Sequence, residues 1–133
     1  MALHFDLVRF PLVICRLSEV ECPVLSLQSQ SDAYLTELVR HRGVFACVHD
    51  WTQAGELGPE RWRCVFERAI LSAALSSQCV AQAIAVTNPA LRSFATARTL
   101  ENPFSYALRV AGSFESALSW CAWQLKRSEP QAV

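Results

Sequence analysis

The chain carries no net charge: 12 Lys and Arg balance 12 Asp and Glu over 133 residues. A protein that wraps nucleic acid needs a basic excess to neutralise phosphates, so that class is disfavoured. Long apolar runs are missing too. The first greasy stretch, Phe10 to Cys15, is six residues long and holds Pro11. A secretory leader needs a basic start and a longer apolar core, and a membrane span needs about eighteen uninterrupted apolar residues. The expected compartment is therefore the cytoplasm, with no membrane span. Lysine is nearly absent, since eleven of the 12 basic residues are Arg and only Lys126 is Lys. That bias hints at a GC-rich bacterial genome.

Motifs that fix a chemistry are also absent. There is no H-x-x-x-H, no Walker loop and no G-x-G-x-x-G, and Gly55-Glu-Leu-Gly58 lacks the Lys-Ser/Thr of a phosphate loop. Six cysteines stand at 15, 22, 47, 64, 79 and 121, with gaps of 7, 25, 17, 15 and 42 that match no zinc or haem spacing. Most lie within apolar segments, as buried reduced thiols do. No cofactor and no metal are expected.

What is present is core. Apolar residues make up 52% and charged residues 18%, which excludes wholesale disorder. A chain of this length makes one domain, here residues 1–127, with 128–133 as a loose tail. His4 to Phe10 alternates in part and Leu12 to Leu17 follows Pro11, so two strands are expected there. Val24 to Leu27 reads as a short edge strand after Pro23. Tyr34, Leu35, Leu38 and Val39 form a helical stripe capped by Ser31 and closed by Gly43. Val44 to Val48 is a continuous apolar run, the mark of a strand covered on both faces. Pro59 opens a helix whose stripe is Trp62, Val65, Phe66, Ala69, Ile70 and Ala73. Cys79 to Val86 is a further strand. A third helix starts at Asn88-Pro89, with Leu91, Phe94 and Ala95 inward, and Tyr106 to Val110 is a last strand. Ser113 caps a final helix to about Lys126, with Phe114, Ala117, Leu118, Cys121 and Leu125 facing in. The order is β-β-(β)-α-β-α-β-α-β-α. It predicts an α/β domain with a small mixed sheet of four to five strands and helices packed on it.

That order and its punctuation resemble the STAS domain, in the group related to bacterial anti-sigma-factor antagonists. The residues that carry the resemblance are Phe45 to Asp50 as an apolar strand ending in Asp, the Gly55–Gly58 loop, and Pro59-Glu-Arg61 opening a long helix. Asn88-Pro-Ala-Leu-Arg92 and Phe114 to Trp120 complete it, over roughly residues 5 to 125. The resemblance implies a cytoplasmic, non-catalytic module that binds a protein and regulates it or places it in an assembly. It also implies a phosphorylated Ser or Thr after the third strand. The usual Asp-Ser-Ser-Gly-like stretch is missing, and the nearest hydroxyl is Thr52, which becomes the candidate phospho-site.

Three groups of side chains carry the functional expectations. Asp50 and Arg61 end a strand and start the next helix, so they are expected on one rim of the sheet, where open α/β sheets bind their ligands. His49 and Asp50 are neighbours on a strand and point to opposite faces, so they do not make one catalytic unit. A Cys47–His49 nucleophile would need exposure and a lowered thiol pKa. No enzyme activity is expected. Trp120 and Trp123 fall off the inner stripe of the last helix, and exposed Trp is enriched at interfaces. The expected partner-binding residues are Trp51, Thr52, Arg61, Trp120 and Trp123, for a protein partner or a second copy of the chain. The competing expectation is a carrier of a small apolar ligand or lipid. It would use a cavity left by Ala69, Ala73, Ala74, Ala81, Ala83 and Ala85, although such residues also permit close helix packing.

Overall fold

A computed structural model describes residues 2–18, 43–53, 78–100 and 107–128, together with Ala33 and Thr36. The expected strand at Val24 to Leu27 and the helix opened by Pro59 lie outside these residues, as does most of the helix closed by Gly43. Among the described residues there are five strands: β1 (Ala2–Asp6), β2 (Leu12–Ser18), β3 (Phe45–Asp50), β4 (Cys79–Ala85) and β5 (Ala107–Ala111). Two helices follow the last two crossings, α1 (Pro89–Leu100) and α2 (Phe114–Ser128). The strands lie side by side in chain order in one sheet. β1 is antiparallel to β2, and β2 through β5 are parallel. The chain is thus α/β with a mixed five-stranded sheet.

Local chemistry sets the boundaries. β1 ends at Asp6, four residues before the expected Phe10, because the Asp6 carboxylate accepts the Val8 backbone N–H at 2.9 Å and starts a turn. Phe10 N–H donating to Leu7 and Leu12 N–H to Arg9 complete that turn, and the Phe10–Pro11 peptide is cis. At the start of α1 the Asn88 side-chain oxygen accepts the N–H groups of Ala90 and Leu91, at 3.0 and 3.2 Å. Pro89 holds the first helical position beside this cap. Ser113 does the same for α2, its hydroxyl accepting Ser116 N–H at 3.1 Å. Gly43 has φ of 129°, a conformation L side chains rarely adopt, and a Cβ there would meet nothing within 4 Å. Backbone geometry rather than space requires glycine at that position.

Register divides the central strands into two faces. Ile14, Val48, Ala83 and Arg109 align across the sheet, as do Leu12, Ala46, Ala81 and Ala107. This is the face covered by α2, which lies over β3 and β4 and reaches β5 and β2. Ala117, Cys121 and Leu125 of α2 are buried with Ala46, Val48, Ala81, Ala83, Ala85 and Ala111. Small side chains on both sides let helix and sheet approach closely. Ala81, Ala83 and Ala85 of β4 pack closely under α2, while Ala69, Ala73 and Ala74 lie outside the described residues. The opposite face presents Val13, Cys15, Phe45, Cys47, His49, Gln82 and Ile84, all fully buried. β3 is thus covered on both faces, as its unbroken apolar run predicts.

Candidate functional site

The ends of β2 and β3 and the start of α2 meet at one rim. Asp50 ends β3 on the α2 side, in register with Arg16 of β2. Their charged groups are 3.9 Å apart, with the Arg16 side chain half exposed. Such a pair contributes about 0–1 kcal/mol. Arg16 also lies over the Phe114 ring, 5.7 Å from its centre, and so ties the rim to the first turn of α2. Arg61, the expected partner of Asp50, lies outside the described residues. Sequence reasoning missed Arg16, because only the strand register brings it opposite Asp50.

Thr52 is held by the same carboxylate. Its backbone N–H donates to Asp50 Oδ1 at 3.0 Å and its hydroxyl donates to the same oxygen at 2.6 Å. A phosphate on Thr52 would stand beside that carboxylate, anion against anion. Trp51 departs from expectation. Its backbone N–H donates to the Ala85 carbonyl at 2.9 Å, and its ring is fully buried. The chain turns inward as it leaves β3, so this indole packs into the interior and offers no face to a partner.

The two tryptophans of α2 are placed differently. Trp120 is half-buried against the alanine-rich core, and the Arg109 guanidinium of β5 lies 5.9 Å from its ring centre. Trp123 is 52% exposed. The Arg127 guanidinium, one turn on, lies 4.6 Å from its ring centre. Residues three and four apart on a helix are surface neighbours. The pairs Arg109–Trp120 and Trp123–Arg127 therefore make one strip along the flank of α2 next to β5.

Beneath β3 and β4, away from α2, lies a buried polar pair. His49 Nε2 and Gln82 Oε1 are 2.6 Å apart, both residues fully buried. An amide oxygen only accepts, so Nε2 carries the hydrogen and Nδ1 is the bare nitrogen. His49 Nδ1 is buried with no hydrogen-bond partner. Burial away from water pushes the His49 pKa down to about 4, the Gln82 hydrogen bond opposing this only in part. Cys15 sits opposite His49 in the register and is likewise buried. Burial drives the Cys15 thiol far above its ordinary range and pushes Cys79 and Cys121 up to about 12. Thiols so disposed remain protonated at neutral pH. Among the described residues no group of three or more His, Cys, Asp or Glu is placed to hold a metal ion. No helix among them is long and apolar enough to cross a membrane. The chain matches no family model, no curated protein and no solved structure.

Proposed function

We propose that this chain is a STAS-like, non-catalytic module that binds a protein partner through the flank of α2. The carrying observation is Trp123, 52% exposed and stacked with Arg127 at 4.6 Å, beside the Arg109–Trp120 pair. Tryptophan and arginine are the residue types that dominate interface energetics. The strip adds Lys126 next to Arg127 at the end of α2, so the partner surface it suits is acidic. The STAS-like part of the reading is supported by an antiparallel strand pair leading into parallel strands, and by helices capped at Asn88 and Ser113. A phosphate at Thr52 would act within this reading by breaking the hydroxyl bond to Asp50 and loosening the rim.

The test is affinity capture from the native host, with native mass spectrometry of the purified chain, on wild type and Trp123→Ala. A specific protein, or a dimer of the chain, that is lost with the variant supports the α2 flank as the contact. Unchanged capture and unchanged oligomeric state overturn it.

A further inference from the structure

We propose that a cleft beside β5 binds a small phosphate monoester with a flat apolar body. β5 is at one edge of the sheet, with α1 and α2 both packed against it. Where the three meet, an open cleft of about 490 Å³ is lined by Arg92, Arg109, Gly112, Ser116, Ser119 and Trp120 among others. That volume lies within the usual range of small-molecule sites.

Two cations face this space from different elements. Arg92 stands in the first turn of α1, and its Nη1 is 3.6 Å from where a Cβ on Gly112 would sit. The glycine thus gives the guanidinium a flat backbone surface to lie against. Arg109 projects from β5 over the Trp120 ring. Among the described residues the only ion pair is Arg16 with Asp50, so neither guanidinium is matched by a carboxylate. Glu115 also lines the cleft and leaves an excess of one positive charge. Ser116 adds a donor. The Ser113 hydroxyl donates to the Ser116 hydroxyl oxygen at 3.0 Å while accepting Ser116 N–H, which leaves the Ser116 hydroxyl hydrogen free.

The donor set selects the head group. Each guanidinium presents a planar fork that pairs with an oxyanion. A monocarboxylate satisfies one fork, whereas a phosphate monoester has three terminal oxygens and can take both, with an oxygen left for a serine hydroxyl. The Trp120 indole, with Val110 and Ala111 of β5, supplies an apolar wall for the body of the ligand. Glu115 opposes any anion, so its charge sets the affinity from the other side. The cleft shares Arg109 and Trp120 with the partner strip, but its anion contacts at Arg92 and Ser116 lie outside that strip, so ligand binding requires no protein partner.

Phenyl phosphate is the probe, titrated by calorimetry and by amide chemical shifts, with benzoate and inorganic phosphate alongside. We expect saturable binding of phenyl phosphate with shifts centred on Gly112, Ser116 and the Trp120 indole. Inorganic phosphate, lacking the apolar body, binds at the same residues more weakly. Arg92→Gln and Arg109→Gln should each weaken binding about tenfold or more, the loss of one charge-assisted pair. Glu115→Gln should tighten it severalfold, and Trp123→Ala should leave it unchanged while testing the partner surface separately. Thermal melts establish that the variants are folded. Absence of saturable binding overturns the proposal. So does benzoate binding as tightly as phenyl phosphate, or Lys126→Gln weakening binding as much as the arginine variants, since generic charge would then account for it.

Discussion

Acid should destabilise this fold through His49 before most carboxylates titrate. In the native protein the imidazole is fully buried, with Nε2–H given to Gln82 and Nδ1 unpartnered. Protonation would place a charge and a second N–H in that dry site. The native pKa is accordingly lowered to about 4, from 6.5 for an ordinary histidine. The unfolded chain therefore takes up a proton as pH falls through 6.5, and the native chain does so only near 4. The stability is fully present above pH 6.5 and is lost between that value and pH 4. Linkage gives a loss of about 1.4 kcal/mol by about pH 5.5 and about 2.5 kcal/mol by about pH 4.5. Against a typical domain stability of about 5–15 kcal/mol, that is a measurable fraction. The assay is urea unfolding followed by circular dichroism at about pH 7.5, 5.5 and 4.5, for wild type, His49→Gln and the double variant His49→Leu/Gln82→Leu. Carboxylates titrate in all three proteins, so the difference in slope isolates His49. The double variant removes both polar groups together and leaves no orphan. Wild type should lose about 2.5 kcal/mol more than either variant over this range. Equal losses in all three would refute the reasoning.

Three further outcomes follow from the packing. Ala83→Leu, on the sheet face under α2, should cost about 1–3 kcal/mol by chemical denaturation, because the added atoms meet Ala117 and Cys121 across a close helix–sheet contact. Gly43→Ala should cost about 1–2 kcal/mol even though space is open around it, since φ is 129°. At neutral pH a thiol reagent should leave Cys15, Cys47, Cys79 and Cys121 unmodified in the native protein and label all six cysteines in denaturant. Rapid native labelling at any of those four, located by peptide mapping, would contradict their burial.

Elements whose cause is local were legible in the sequence. The apolar runs of β3 and β4, the Asn88-Pro89 start of α1 and the Ser113 start of α2 each depend on residues within a few positions of one another. Their observed limits fall within one or two residues of expectation. Trp123 was legible in the same way, because helical periodicity alone puts it off the buried stripe of Ala117, Cys121 and Leu125. What depends on register was not legible. Arg16 meets Asp50, and His49 meets Gln82, only after strands 33 or more residues apart have been aligned. Gln82 was visible as one polar residue in an apolar run, but nothing local names its partner. Trp51 shows the complementary failure. Its place after a strand-ending Asp suggested a rim, and the interior claimed the indole instead, since burying so large an apolar ring is worth more than leaving it in water.

The cleft beside β5 qualifies the inference drawn from zero net charge. A global balance of 12 against 12 excludes a chain that binds polyanions over its whole surface, because that binding scales with total charge. It does not constrain charge within a Debye length of one site, about 8–10 Å at ordinary salt. Within such a radius the sign is set by which elements converge. Here α1 delivers Arg92 and β5 delivers Arg109, with Glu115 the one acid among the cleft-lining residues. Further along α2, Lys126 and Arg127 extend the same sign past Trp123. Local excess in a neutral chain has a measurable signature: anion affinity at the cleft should fall with added salt, while fold stability, set by an apolar core and the neutral His49–Gln82 pair, should change little. A salt dependence shared by both would mean that the arginines hold the fold together, and a dependence of neither would mean that they bind no anion.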